Sequence, residues 1–129
     1  MTQEEEKNLL LKDLCVRLPY GVRYRHFTWN DEYGETYIAA QIYSINTDGY
    51  VKNCHDDETV YIDNVRPYLF PLSSMTEEQK KEYQYITERW MNDPAYSISD
   101  SIDWLNKNNF DYRGLIEKGL AIPILNPFS

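Results

Sequence analysis

The chain has 129 residues, 42% hydrophobic and 15% aromatic, which is enough for one hydrophobic core. Its 21 acidic and 13 basic side chains give a formal net charge of -8, which disfavours nucleic-acid binding because phosphate recognition needs a Lys/Arg stripe. Two cysteines are too few for a disulfide scaffold, and the acidic N-terminal residues are unlike a signal peptide. The apolar runs are too short for a membrane span. We therefore expect a soluble cytoplasmic protein with a single domain, residues 1–129.

The first predicted element is an N-terminal helix within residues 1–19, from about residue 3 to residue 15. Thr2 and Glu5 have the spacing of a capping box, in which the hydroxyl and the carboxylate satisfy free backbone N–H groups. An apolar stripe predicts the face that packs on the rest of the protein, and its members are Leu10, Leu11, Leu14 and Leu18. Pro19 and Gly21 end the helix.

Residues 20–72 read as a β-rich lobe. Four runs rich in β-branched and aromatic residues are separated by turn-prone segments, and we predict strands at residues 22–29, 36–45, 50–54 and 59–63. Asp48-Gly49 is a hairpin signal. Four short antiparallel strands bury one face only by curling or by leaning on helices, so the prediction is an SH3-like half-barrel.

Residues 73–129 predict a helical lobe followed by an apolar tail. Thr76 and Gln79 form a second capping box, and the helix that they start places Tyr83, Ile86 and Trp90 on one face before Pro94 stops it. A shorter helix, capped by Ser99 or Asp100, runs to Lys107 with Ile98, Ile102 and Leu105 on one side.

Three further segments complete the chain. The apolar segment 68–70, between two prolines, suits an extended structure or a single tight turn. Asp111 can cap one or two helical turns over residues 112–118, which Gly119 would close. The tail, residues 120–128, is expected to lie on the core as an edge strand or extended segment. The predicted fold class is therefore α+β.

The densest group of possible ligands or catalytic side chains is the run from Cys54 through His55, Asp56 and Asp57 to Glu58. Zinc needs four ligands with recurring spacing, and the remaining Cys and His, at positions 15 and 26, belong to a different helix and strand. Calcium ligation by Asp48 with the acids of this run lacks the regular spacing of a calcium loop. The run is therefore interpreted as an acidic hairpin tip, with no metal and no cofactor.

Catalytic motifs are also missing from the sequence, and no catalytic residue is predicted. A thiol nucleophile at Cys54 with His26 as its base is formally possible, but the ordinary expectation is a buried, inert Cys15 and a partly exposed Cys54. The acids form no pair in a context that would raise one pKa, and the five glycines form no phosphate-binding loop.

Tyrosine exceeds its usual frequency, and eight of the twelve lie between positions 20 and 68. The ordinary interpretation places these rings in the core, between the sheet and the helices. In the alternative, tyrosines on the solvent face of the sheet offer rigid amphipathic contacts to a protein partner. The candidate partner-binding residues are Tyr37, Tyr43, Tyr50 and Tyr61.

Three stretches of the chain are residues 12–22 (KDLCVRLPYGV), 65–79 (VRPYLFPLSSMTEEQ) and 103–122 (DWLNKNNFDYRGLIEKGLAI). In these stretches the chain resembles a family of short uncharacterised proteins common in gut Bacteroidales and their mobile elements. The resemblance implies a bacterial or phage cytoplasm and an accessory role, and it assigns no role to any residue.

The function predicted from these features is a non-enzymatic protein-interaction module with a protein partner, and with neither nucleic acid nor membrane as a partner. One alternative is an acidic inhibitor, encoded by a mobile element, that mimics nucleic acid. The other is a small hydrolase or metal-dependent enzyme built around His55 and Asp57, which would need a histidine beside a carboxylate or thiol in a pocket.

Overall fold

A computed structural model of the chain describes residues 1–56, 58–92 and 98–125, apart from the side chains at positions 30, 90–92 and 98. The fold is α+β, as predicted, with an N-terminal helix, a curled four-strand antiparallel half-barrel and two later helices; it also contains a small parallel sheet. Within the described residues, no helix is long and apolar enough to cross a membrane. Asp57, the Trp90 and Ile98 side chains, the stop at Pro94 and the tail beyond residue 125 lie outside the described residues.

The first helix, α1 (Gln3–Arg17), is two residues longer than predicted. The Thr2 hydroxyl accepts a hydrogen bond from the Glu5 backbone N–H at 3.1 Å, so this half of the predicted capping box is formed. Leu10 and Leu14 are buried against the sheet, as their spacing predicts. Asp13 and Arg17 are buried on the same side of the helix, which the sequence pattern did not predict.

The four predicted strands are present as β1 (Arg23–Asn30), β2 (Gly34–Ile45), β3 (Tyr50–Asn53) and β4 (Thr59–Tyr61). They pair antiparallel in the order β1-β2-β3-β4, with an irregularity in register between Ile42 and Ser44. At the tight turn before β3, Gly49 has φ +91, a backbone conformation that would be strained in a residue with a side chain. The main core lies inside the half-barrel, where the sheet meets α1; its strand members include Tyr24, Ala40, Ile42 and Val51.

The second and third helices are α2 (Glu77–Asn92) and α3 (Ile98–Lys107). Both hydrogen bonds of the predicted capping box exist: Gln79 N–H donates to the Thr76 hydroxyl at 3.1 Å, and Thr76 N–H donates to the Gln79 side-chain oxygen at 2.9 Å. The helices pack through a second apolar cluster, whose members include Tyr83, Ile86, Trp104, Leu105 and Phe110.

A small parallel sheet, absent from the prediction, joins the two halves of the sequence. Its strands are β5 (Tyr68–Pro71), β6 (Phe110–Asp111) and β7 (Ile122–Pro123), in the order β6-β5-β7. The extended structure expected at residues 68–70 is therefore its central strand, and the edge strand expected from the tail is β7. The carboxylate of Asp111 accepts the N–H groups of Leu115 and Ile116, and the segment that follows forms turns instead of a helix.

A buried ion-pair network fastens α1 to this small sheet. The guanidinium of Arg17 donates to both Asp13 carboxylate oxygens, at 2.8 and 3.2 Å, and to the Phe110 carbonyl at 2.6 Å. Arg113 donates to the same carboxylate at 3.1 Å. The side chains of Asp13 and Arg17 are both 0% exposed, so Asp13 compensates the buried charge of Arg17, while Arg17 and Arg113 together compensate that of Asp13.

Candidate functional site

The outer face of β1 and β2 carries an aromatic strip, which we define as Phe27, Trp29 and Tyr37. These side chains are 46%, 68% and 58% exposed. The strand register places Phe27 opposite Tyr37, and their ring centroids are 5.9 Å apart in an edge-to-face arrangement. The guanidinium carbon of Arg25 lies 5.0 Å from the centre of the Tyr37 ring. The strip is thus a rigid aromatic surface with a cation at one end.

The structure contradicts the interpretation that the tyrosines fill the core. Of the eight between positions 20 and 68, only Tyr24 is buried; Tyr61 and Tyr68 are half-buried, and the exposed ones are Tyr20, Tyr33, Tyr37, Tyr43 and Tyr50. The inward positions of β2 and β3 are held by smaller aliphatic residues such as Ala40, Ile42 and Val51, which share one core with Leu10 and Leu14 of α1.

The four tyrosines proposed as a binding surface occupy two places. Tyr37 belongs to the aromatic strip, whereas Tyr43 and Tyr50 line a separate shallow groove. Tyr50 contacts Tyr61 edge-to-face at 5.3 Å, and the Lys7 ammonium lies 5.2 Å from the Tyr61 ring centre. Sequence reasoning missed the other two members of the strip, although the alternation of Phe27 and Trp29 with His26 along β1 was a signal for one shared face.

One edge of β1 is only partly paired. The Arg25 N–H donates to the Arg66 carbonyl at 3.2 Å, on the side away from β2. Backbone groups of alternate residues point to the same side of a strand, so those of Phe27 and Trp29 face this edge too. In the described part of the chain, no backbone hydrogen bond joins Phe27 or Trp29 to a residue outside the β1–β4 sheet. An open cleft of about 510 Å³ lies between this edge and β4, with Arg25, Arg66 and Tyr61 among its lining residues.

The inner side of β1 holds a second feature, a polar cluster around His26, which is 3% exposed. Its Nδ1 lies 3.1 Å from the Tyr24 hydroxyl, which is itself 2.9 Å from the Asn53 side-chain nitrogen. Its Nε2 lies 2.9 Å from Asp56 Oδ2 and 3.5 Å from Glu58 Oε2. The imidazole therefore joins a buried hydroxyl on one side to two carboxylates at the mouth of the cleft.

The hydrogen bonds of Asn53 fix the orientation of its side-chain amide. Its Oδ1 accepts the backbone N–H groups of His55 and Asp56, so its nitrogen must be the donor to the Tyr24 oxygen. Burial raises the pKa of Tyr24, so its hydroxyl keeps its proton, and it lies within hydrogen-bond distance of His26 Nδ1. The other ring nitrogen, Nε2, faces the carboxylates of Asp56 and Glu58.

Asp56 is held in its ionised form by this arrangement. The hydrogen bond from His26, together with one from the Glu58 backbone N–H, lowers the pKa of Asp56 to about 2. The interpretation that His26 stands apart from the acidic hairpin tip is therefore wrong. The pairing of β1 with β2 and of β2 with β3 brings residues 30 positions apart into contact, which spacing along the sequence does not show.

The remaining candidates are placed less favourably for chemistry. His55 and Cys54 are exposed, and both ring nitrogens of His26 face Tyr24 and Asp56, so the pairing of a Cys54 thiol with His26 is not formed. Cys15 is exposed as well, contrary to expectation, because it lies on the solvent side of α1.

Comparison of the chain with protein-family models, curated proteins and solved structures gives no match. The resemblance to the Bacteroidales family therefore stays a prediction, and the function is argued from the geometry of these two features.

Proposed function

We propose that the protein is a non-enzymatic interaction module that binds an extended segment of a partner protein along the free edge of β1. The observation that carries this proposal is the aromatic strip. Three large rings stand on one face at 46–68% exposure, in positions that the half-barrel does not use for its own core. Exposed aromatic side chains held rigid by neighbouring strands are the usual anchors of protein interfaces, since they bury a large area with little loss of side-chain entropy.

The backbone beside the strip supports an extended binding mode. Proteins commonly protect sheet edges with lysine, proline or bulges, yet β1 contains neither lysine nor proline. The segment around Pro67 already pairs antiparallel with Tyr24, and a guest strand would continue this pairing past Phe27 and Trp29. Strand addition of this kind takes its affinity from backbone hydrogen bonds and its specificity from alternate side chains.

Charge at the edge indicates the chemistry of the partner segment. Arg25 and Arg66 both line the cleft, although the chain as a whole carries a net charge of -8. Glu58, the acid that also lines the cleft, lies 3.5 Å from His26. An acidic side chain on the guest segment would meet the two guanidinium groups, and opposite charges at an interface favour the correct register and speed association. The proposed partner segment is therefore extended and acidic.

The test is affinity capture with matched variants. The chain is used as bait in a lysate of a gut Bacteroidales strain, the host predicted by the resemblance, and bound proteins are quantified by mass spectrometry. The F27S/Y37S double variant removes two rings of the strip. Tyr85→Ser is the control, because Tyr85 is an equally exposed tyrosine, at 60%, on α2.

We expect some proteins to bind both the wild type and the Tyr85→Ser control but not the double variant. A segment of such a protein is then synthesised and its affinity measured directly, with an Arg25→Ala bait as a further comparison. If the double variant captures the same proteins as the wild type, the strip is not the binding surface. Capture of nucleic-acid-binding proteins by all three baits would instead support the acidic-mimic alternative.

The enzyme alternative has a weaker basis in the described residues. His55 is exposed at the hairpin tip, and Asp57 lies outside the description. The histidine that does lie beside a carboxylate is His26, and its hydrogen bonds suit a structural or ligating role better than proton abstraction.

A further inference from the structure

We infer that His26, Asp56 and Glu58 together form a binding site for a divalent transition-metal ion of the zinc type, at the inner wall of the cleft. This inference does not rest on the proposed partner binding, because its argument uses only the positions of three side chains. The two sites border the same cleft, which Phe27 and Tyr37 of the aromatic strip also line.

The distances between the donor atoms carry the argument. The three ligand atoms lie within 4.8 Å of one another. His26 Nε2 is 2.9 Å from the Asp56 oxygen and 3.5 Å from the Glu58 oxygen. Ligands at zinc distances of about 2.0–2.2 Å stand about 2.8–3.1 Å apart at right angles and about 3.3–3.6 Å apart at tetrahedral angles. Both measured separations have these values, so each carboxylate already stands at ligand spacing from His26 Nε2.

The donor set selects the class of ion. One imidazole nitrogen with two carboxylate oxygens suits zinc and its first-row neighbours better than magnesium or calcium, which prefer oxygen alone. Two carboxylates offset the charge of a divalent ion. Three protein ligands leave at least one position open, and His26 and Glu58 both line the cleft, so the open position faces solvent there.

The buried side of the imidazole supplies the support that a ligating histidine needs. The ring is held by Tyr24, which is held in turn by Asn53, and both are buried. When the ion is on Nε2, the neutral imidazole carries its one proton on Nδ1, and this N–H donates to the Tyr24 oxygen 3.1 Å away. A donor bond from the second ring nitrogen of this kind is the usual way in which proteins orient a metal-bound histidine.

The two carboxylates provide access and adjustment. Asp56 is partly exposed and Glu58 is 64% exposed, so a hydrated ion reaches them directly. The same exposure makes Glu58 the safest residue to change, because its replacement leaves the buried core untouched. His26 is the less useful test residue, since a variant at a buried, doubly bonded position is at risk of misfolding.

The test is to titrate the full chain with Zn²⁺ alone, monitored by calorimetry. A second titration uses Co²⁺ alone and is monitored by visible absorption. We expect one equivalent to bind and to raise the melting temperature, since the ion binds the folded form. Glu58→Gln and Asp56→Asn should each weaken binding at least about tenfold, as loss of a ligand costs no less than loss of its supporting residue. Glu35→Gln, an exposed acid on β2, should leave it unchanged.

Thiol ligands are the main confounding source of binding, because Cys15 and Cys54 are both exposed. Binding that persists in the C15S/C54S variant, without thiolate-to-cobalt charge-transfer bands, supports the proposed site. Binding that disappears with the thiols, or that survives Glu58→Gln undiminished, overturns it. If neither ion binds, the metal site is overturned and the contact of His26 with Asp56 is a structural hydrogen bond; the proposal on partner binding is not affected by that result.

Discussion

Replacement of Asp13 by alanine is expected to be among the most destabilising single changes in this protein. Asp13 is 0% exposed and receives Arg17 at two oxygens and Arg113 at one. Without the carboxylate, the fully buried Arg17 keeps only its bond to the Phe110 carbonyl and loses its countercharge. Removing one member of a buried ion pair costs about 3–5 kcal/mol. For 129 residues, at about 2.1 cal/mol/K of unfolding entropy per residue, this lowers the melting temperature by roughly 11–18 °C.

Urea unfolding, monitored by tryptophan fluorescence, measures the loss of unfolding free energy. Glu35→Ala is the exposed acidic control, and its unfolding free energy should stay within about 0.5 kcal/mol of the wild-type value. The D13L/R17M variant gives a second check. It removes both charges and fills their space with apolar atoms, so most of the lost stability should return. An Asp13→Ala variant as stable as the control would show that the guanidinium reaches water, and the proposed burial of the pair would be wrong.

Three further changes test the polar cluster and a helix cap. Asp56→Asn should reduce stability at neutral pH. The difference from wild type should shrink as pH falls from about 4 towards 2, because the folded pKa of Asp56 lies below its unfolded value and the ionised form is the one that His26 stabilises; unfolding curves across this range measure it. Tyr24→Phe should cost about 1–3 kcal/mol by leaving the Asn53 nitrogen unpaired in the core, as thermal unfolding would show. Thr76→Ala should cost about 1 kcal/mol, measured by urea unfolding, through loss of the α2 cap.

The elements that were predicted well are those specified by neighbouring residues. The caps at Thr2 and Thr76 and the turn glycine at position 49 act over three or four residues, and each is present in the structure. The strand positions followed from β-branched and aromatic runs, and the half-barrel followed from their number and length. Local chemistry was sufficient because these features need no distant partner.

The features that were missed depend on contacts between distant residues. Asp13 and Arg17 have the spacing of a buried helix face, but a polarity pattern assigns charged residues to the solvent. Their burial is made possible by distant partners, Arg113 and the Phe110 carbonyl. The small parallel sheet has strands of two to four residues, too short for any periodic signal. The contact of His26 with Asp56 requires the full register of three strands.

The placement of β5 between β6 and β7 has a consequence for how the chain folds during synthesis. β5 pairs Tyr68 with Ile122, more than fifty residues later, and the Leu69 carbonyl accepts the N–H of Ile124. On the ribosome, the half-barrel can form while this central strand still lacks both neighbours. The two edges of β5 therefore stay unpaired until residues 110–111 and 122–123 have emerged, which exposes this strand to wrong pairing in a nascent chain.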